Sequence, residues 1–183
     1  MLEEKLKALD TYIRKLERAA VAFSGGTDSA LLAYAAKNAL GNNAFAFTIW
    51  SPLLSHKDKE DILNFTALWG ITLVKIPFDE TESADFCENT KERCYFCKSA
   101  RVKALEAKAE ELSIPWVLDG SNTDDLGDFR PGMKALKESA CVKSPLLDCG
   151  FSKSEIREAS RLFGLPTAEK PAAACLASRI PAG

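Results

Sequence analysis

Residues 19–41 read AAVAFSGGTDSALLAYAAKNALG, and the fold turns on how this stretch is read. Ala19 to Phe23 is a short, continuous apolar run stopped by Ser24, Gly25 and Gly26, which predicts a strand. Ser29 to Leu40 then reads as a helix closed by Gly41. Two glycines permit close backbone approach, and the helix that follows offers unpaired N–H groups and the positive end of its dipole, an arrangement that binds phosphate. The turn carries no lysine, and neither GxxxxGK[ST] nor GxGxxG is present. The plain alternative is an ordinary strand-to-helix turn in which Ser24 or Thr27 caps the helix.

The alternation continues on both sides. Leu2, Leu6, Leu9, Ile13 and Leu16 recur at steps of three and four and predict an amphipathic helix ahead of the first strand. Ala44 to Trp50 reads as a strand, His56 to Gly70 as a helix and Ile71 to Pro77 as a third strand. Asp79 to Cys97 is polar and irregular, Lys98 to Leu112 helical, and Trp116 to Gly120 a fourth short strand. A fifth strand falls near Cys141 to Leu147. The last helix is placed at Lys153 to Phe163, with Ser152 and Glu155 in capping-box spacing and Gly164 and Pro166 at its end. Strands and helices in this order predict a Rossmann-like, doubly wound parallel α/β sheet of about five strands with helices on both faces. Ligands of such sheets sit at the carboxyl ends of the strands. No repeat or linker divides residues 1–183, so one domain is expected.

Composition narrows the function classes. At 183 residues and 46% hydrophobic the chain can bury a full core. No run of eighteen apolar residues and no basic-then-apolar leader is present, so the cytoplasm is the expected compartment and a membrane is not an expected partner. A net charge of −2 from 24 basic and 26 acidic residues gives no general attraction to nucleic acid. Six cysteines without an export signal argue for reduced thiols that bind metal or act as nucleophiles.

Cys94 and Cys97 form RCYFCK just before the predicted helix, and Cys175 stands far downstream in CLASRIP. Three readings of the pair stay open: a zinc site, with Cys87 as a further ligand because the single histidine, His56, lies on a charged helix; a redox pair; or an iron–sulfur cluster with three thiolates and one open iron. Cys141 and Cys149 have no partner at motif spacing and read as small buried residues. Residues 118–132, LDGSNTDDLGDFRPG, form a second cluster just past a strand end. There Gly120 lets the chain turn over a ligand, Asp124, Asp125 and Asp128 supply carboxylates, and Arg130 a guanidinium for phosphate or carboxylate. The plain alternative is a solvated acidic loop.

SGGTDS resembles the PP-loop of the ATP pyrophosphatase superfamily, which includes GMP synthetase, NAD synthetase and tRNA thiolation enzymes. The resemblance implies cleavage of ATP between its α and β phosphates, with the loop holding pyrophosphate, so no Walker lysine is needed. Asp28 is the candidate to approach Mg2+. SGGTDS, RCYFCK, DGSNTDDLGDFRPG and CLASRIP, in that order, resemble the LarE-like family of ATP-dependent sulfur transferases over essentially the whole chain.

That family implies adenylation of a carboxylate on a pyridinium dicarboxylate nucleotide and its conversion to a thiocarboxylate, in nickel-pincer cofactor synthesis. A thiolate at Cys175 attacks the acyl-adenylate, and Cys94, Cys97 and Cys175 together look like the ligands of a 4Fe-4S cluster fed by sulfide or a sulfur donor. The expected ATP contacts are Ser24, Gly25, Gly26, Thr27, Asp28, Ser29, Thr48 and Gly120. Asp28 and Lys98 join Cys175 in catalysis, and Arg93, Asp128, Arg130, Ser178 and Arg179 are expected to meet the substrate. Family members continue past the position of Gly183 into a segment that contributes to substrate binding and assembly, so a homo-oligomer is expected of the full-length form. Other readings are tRNA thiolation, which the acidic balance opposes, a non-catalytic adenylate-binding module with a structural metal, and amidation, which has no use for three cysteines.

Overall fold

A computed structural model describes residues 1–90, 92–126, 136 and 138–171. The strands are β1 (Ala19–Ala22), β2 (Ala44–Trp50), β3 (Thr72–Pro77), β4 (Trp116–Leu118) and β5 (Val142–Lys143). They form one sheet in the order β3-β2-β1-β4-β5, with every neighbouring pair parallel. The helices are α1 (Leu2–Arg14), α2 (Thr27–Leu40), α3 (His56–Leu68), α4 (Ala84–Cys87), α5 (Arg93–Glu111), α6 (Pro145–Asp148) and α7 (Lys153–Leu162).

β1 sits at the centre, and its apolar run is continuous because both of its faces are covered. Ala19 and Val21 join the core built on Leu9 and Ile13 of α1, Leu31 and Leu32 of α2, Ile62 and Phe65 of α3, and Ile156 of α7. Ala20, between them, joins the opposite core with Phe47, Val117 and, from α5, Leu105 and Ala109. Successive residues of one strand thus serve opposite faces, as the pleat requires. The chain winds outward through β2 and β3, then crosses under the sheet through α5 to β4 on the other side of β1. Strand order reverses at that point, and the carboxyl ends of β1 and β4 part to leave a crevice.

Local signals set the helix ends. Ser152 Oγ accepts from the N–H of Glu155, whose carboxylate accepts in return from the Ser152 N–H (2.9 Å), so the capping box is closed. Lys5 of α1 also donates to that carboxylate at 2.7 Å and to the Gly150 carbonyl at 2.7 Å, which seats the start of α7 against α1. The Lys5 ammonium, and after it the Ser152 amide, hold the Glu155 carboxyl below the usual carboxylate range.

Two expectations need correction. The stretch Asp79 to Cys97 is not irregular throughout: it contains a 3-10 turn at Glu80–Glu82, α4 and the start of α5, so Cys94 and Cys97 lie in the helix and not ahead of it. The helix start carries no sequence signal, because Glu92 caps it without a side-chain hydrogen bond. The fifth strand is only Val142–Lys143, since Pro145, which cannot donate to a ladder, opens a helical turn instead. Among the described residues no helix is long and apolar enough to cross a membrane.

The 3-10 turn carries a buried charge. The Glu80 side chain is 1% exposed; its carboxylate accepts from Ser51 Oγ at 2.5 Å and from Arg101 Nε and Nη2 at 2.9 and 2.5 Å, joining the ends of β2 and β3 to α5. Glu80→Ala leaves the buried Ser51 hydroxyl without its acceptor while Arg101, about a third exposed, turns to water, so the substitution is expected to cost about 1–3 kcal/mol of stability. A denaturant midpoint within error of the wild type would contradict this.

Candidate nucleotide site

The turn between β1 and α2 is built so that backbone, not side chains, faces the crevice. Gly25 has φ +74, in the left-handed region, and a Cβ on it would lie 2.9 Å from Ile62 Cγ1 of α3. Gly26 caps α2 with no side chain in the way, so the first-turn N–H groups of α2, which have no intrahelical acceptor, open onto the crevice. Ser24 Oγ and Ser29 Oγ stand 3.2 Å apart, and Ser29 Oγ donates to the Gly26 carbonyl at 3.1 Å, closing the turn on itself. Thr27 Oγ1 donates outward to the Thr167 carbonyl at 3.0 Å.

A cavity of about 400 Å3 opens at the carboxyl ends of β1, β2 and β4. One end is polar: Ser24, Gly26, Asp28 and Ser29 of the turn, with Lys98, Asp119, Gly120 and Ser121 opposite. The other end is lined by Phe47, Ile49, Leu54, Val102 and Leu105, apolar walls suited to a flat base. Gly120 lets the β4 loop touch the β1 loop, since a Cβ there would stand 3.2 Å from the Ser29 amide nitrogen. Thr48 is in the wall, and its hydroxyl donates to the Phe23 carbonyl at 2.8 Å and so holds the start of the turn.

Charges at the polar end come in pairs. Lys98 donates to Asp119 Oδ2 at 3.1 Å, and Asp119, nearly buried, also accepts from the Ser121 amide at 2.9 Å and from its hydroxyl. Asp28 is gripped by Lys153, whose Nζ lies 2.6 Å from both carboxylate oxygens. Lys153 opens α7, where the helix dipole disfavours a cation, so Asp28 is what compensates it. The turn that lacks a lysine in sequence therefore meets one in space. Neither Lys153 nor Asp119 was singled out from the sequence. Lys153 gives only the weak signal of a basic residue where helix starts prefer acids, and Asp119 stands in the quoted cluster beside the more conspicuous Asp124 and Asp125. Asp124 accepts from the Lys153 amide at 3.2 Å, and Asp125, which also lines the cavity, from the Asn122 amide at 2.9 Å.

Cys94 is exposed and Cys97 half-buried, three residues apart in the first turns of α5. Cys94 precedes Lys98 by four residues and so shares the helix face that Lys98, Arg101 and Leu105 turn to the cavity. Among the described residues no three histidine, cysteine or acidic side chains converge as a metal site. Arg93 donates to Asn89 Oδ1 and is not in the cavity wall. Cys87 donates to the Thr81 carbonyl, and burial pushes the thiols of Cys141 and Cys149 up, which suits unreactive residues. His56 is exposed on α3 beside Glu60. Asp128, Arg130, Cys175, Ser178 and Arg179 lie outside the described residues.

The family model described as NAD synthase matches residues 1–109. The chain belongs to the NAD synthase family of PP-loop ATPases. Over all 183 residues this PP-loop chain is 43% identical to an uncharacterised protein of Synechocystis sp., 68% of which it covers. Over the same 183 residues it is 30% identical to pyridinium-3,5-bisthiocarboxylic acid mononucleotide synthase of Lactiplantibacillus plantarum, 66% of which it covers. The chain thus spans about two thirds of the length of these curated relatives. Among solved structures, the NH3-dependent NAD synthetase of Campylobacter jejuni, in complex with a nitrate ion, matches with a TM-score of 0.73 over 93% of this chain and 77% of that one. At 21% identity it shows the shared adenine nucleotide alpha hydrolase fold.

Proposed function

We propose that this protein is an ATP-dependent sulfur transferase that adenylates a carboxylate of a small-molecule nucleotide, releases pyrophosphate, and replaces the activated oxygen with sulfur. The observation that carries the reading is that α5 places Lys98 in the wall of the PP-loop cavity, with Cys94 one helical turn before it on the same helix. The similarity to the bisthiocarboxylic acid mononucleotide synthase supports the acceptor class.

In this reading the substrate carboxylate oxygen attacks the α phosphorus, the bond to the β,γ-pyrophosphate breaks, and an acyl-adenylate forms. The N–H groups at the start of α2, with Lys153, take up the charge of the departing pyrophosphate; Asp28, once released by Lys153, is the carboxylate that would hold Mg2+, which would neutralise charge on the same group. Lys98, backed by Asp119, orients the carboxylate under attack. Sulfide then adds to the acyl carbon and expels AMP, leaving the thiocarboxylate directly; a cysteine thiolate attacking in its place gives an enzyme-bound thioester, which yields thiocarboxylate only when the cysteine Cβ–S bond breaks. The proposed role of Cys175 is to help hold the sulfur that is delivered. Cys94 and Cys97, side by side on one helical turn, fit two of the ligands of an iron–sulfur cluster whose third is Cys175. When bound, a 4Fe-4S cluster on these residues supplies a transferable sulfide at its open iron.

The test is anaerobic purification of the full-length protein, iron, sulfide and zinc analysis, and incubation with Mg·ATP, a pyridinium dicarboxylate mononucleotide and sulfide. Pyrophosphate and AMP in equal amounts, with an oxygen-to-sulfur mass change in the acceptor, are expected. ADP as product would sink the adenylation reading, and zinc in place of iron would sink the cluster.

A further inference from the structure

Lys98 and Arg101 of α5 both line the cavity, and each is answered by a different part of the sheet. Lys98 donates to Asp119, just past the end of β4. Arg101 turns instead to the ends of β2 and β3, where Glu80 Oε1 accepts from its Nε at 2.9 Å and its Nη2 at 2.5 Å. The other oxygen of Glu80 accepts from Ser51 Oγ, which in turn accepts from the Leu53 amide at 2.9 Å. The Ser51 carbonyl accepts from the Leu54 amide at 3.2 Å. One buried acid thus fixes both Arg101 and the loop that carries Leu54 into the apolar end of the cavity.

A guanidinium carries five N–H groups in one plane. Glu80 takes the edge made by Nε and Nη2, which leaves both N–H groups of Nη1 and one of Nη2. No acceptor among the described residues meets these three, and the Arg101 side chain is 32% exposed in the cavity wall. Two features narrow the ligand they suit. The charge is already balanced by Glu80, which weakens its pull on a phosphate or carboxylate. The neighbouring walls, Leu54, Val102 and Leu105, suit a flat base and not an anion. What remains is a donor held in a fixed plane, matched to an uncharged acceptor with a directed lone pair.

We propose that Arg101 is a specificity-determining residue that donates to an unprotonated ring nitrogen of adenine, with Glu80 as the positioning residue that holds its plane. This rests on the reading of the cavity as the ATP site. Arg101→Met alone would leave the Glu80 carboxylate buried without its cation, so it is combined with Glu80→Gln. Arg101→Lys is the second variant: it keeps a cation against Glu80 but has no far edge to offer the base.

The experiment is calorimetric binding of Mg·ATP and of its 1-deaza, 3-deaza and 7-deaza analogues, each with one ring nitrogen replaced by C–H, to the full-length protein and both variants. Losing a hydrogen bond from a charged donor costs at least about tenfold in affinity. One analogue is therefore expected to bind the wild type at least about tenfold more weakly than ATP, and to bind each variant within about twofold of that variant's Kd for ATP. The same analogue penalty in the wild type and in Arg101→Lys overturns the proposal and gives that nitrogen to another group. A wild type that binds all three analogues as it binds ATP overturns it too. Weaker ATP binding in the variants with the penalty intact also overturns it, and makes Arg101 only a brace for the cavity wall. Arg101→Lys keeps the buried pair, so the comparison stands even where the double variant fails to fold. Absent ATP binding to the wild type is the failure of the ATP site itself and takes this inference with it.

Discussion

Asp28→Ala is expected to lower the rate of pyrophosphate release about a thousandfold while changing the KM for ATP far less. The reason is the division of labour around the loop. In the proposed reaction ground-state phosphate meets the N–H groups at the start of α2 and Lys153, none of which the substitution removes. Lys153 is in fact released by it, since its ammonium now spans both oxygens of Asp28 at 2.6 Å. What disappears is the carboxylate proposed to place a divalent cation on the leaving group, where charge builds up only as the α–β bond breaks. Initial-rate kinetics with excess Mg2+ separate the two: a large rise in KM with kcat preserved would show that Asp28 serves binding and not bond cleavage.

Cys175→Ala is expected to abolish thiocarboxylate formation, by at least about a thousandfold, with acceptor-dependent exchange of labelled pyrophosphate into ATP retained. In the proposed reaction adenylation uses the loop, Asp28 and Lys98, whereas displacement of AMP uses the sulfur nucleophile, so the substitution cuts the reaction between its halves. Cys94→Ala and Cys97→Ala are expected to lose bound iron as Cys175→Ala does and to keep the exchange as well. Persistent thiocarboxylate in Cys175→Ala would remove Cys175 from sulfur delivery, with Cys94 the next candidate because it lies one helical turn before Lys98.

Local patterns carried the architecture. The apolar run at Ala19 to Phe23, the glycine stops at Gly41 and Gly70, and the Ser152–Glu155 capping box each act within a few residues, and each sets an element boundary close to where the structure has it. The start of α5 was illegible because no capping side chain marks it, and contact with α4 and the sheet carries the helix back to Arg93. The site was half legible. Its turn is written in six consecutive letters, but its electrostatics are not: Lys153 and Asp28 are 125 residues apart in sequence. Likewise Arg101 looks like any surface cation on a charged helix until Glu80 is found beneath it. Pairings of this kind exist only once the sheet has brought distant strand ends together.

The placement of β1 has a thermal consequence. Ala19, Ala20 and Val21 are fully buried and hydrogen-bonded to a strand on each side, so the PP-loop is mounted on the segment whose opening requires nearly the whole molecule to unfold. Cys94, exposed on an uncapped helix end beside the four-residue α4, sits on a segment that frays at far lower cost. Native-state amide exchange should accordingly separate the two by several orders of magnitude in rate. On the proposed function the site then has two rigidities: a phosphate cradle that pays no ordering cost when ATP arrives, and beside it a thiol-bearing helix start that opens at far lower cost.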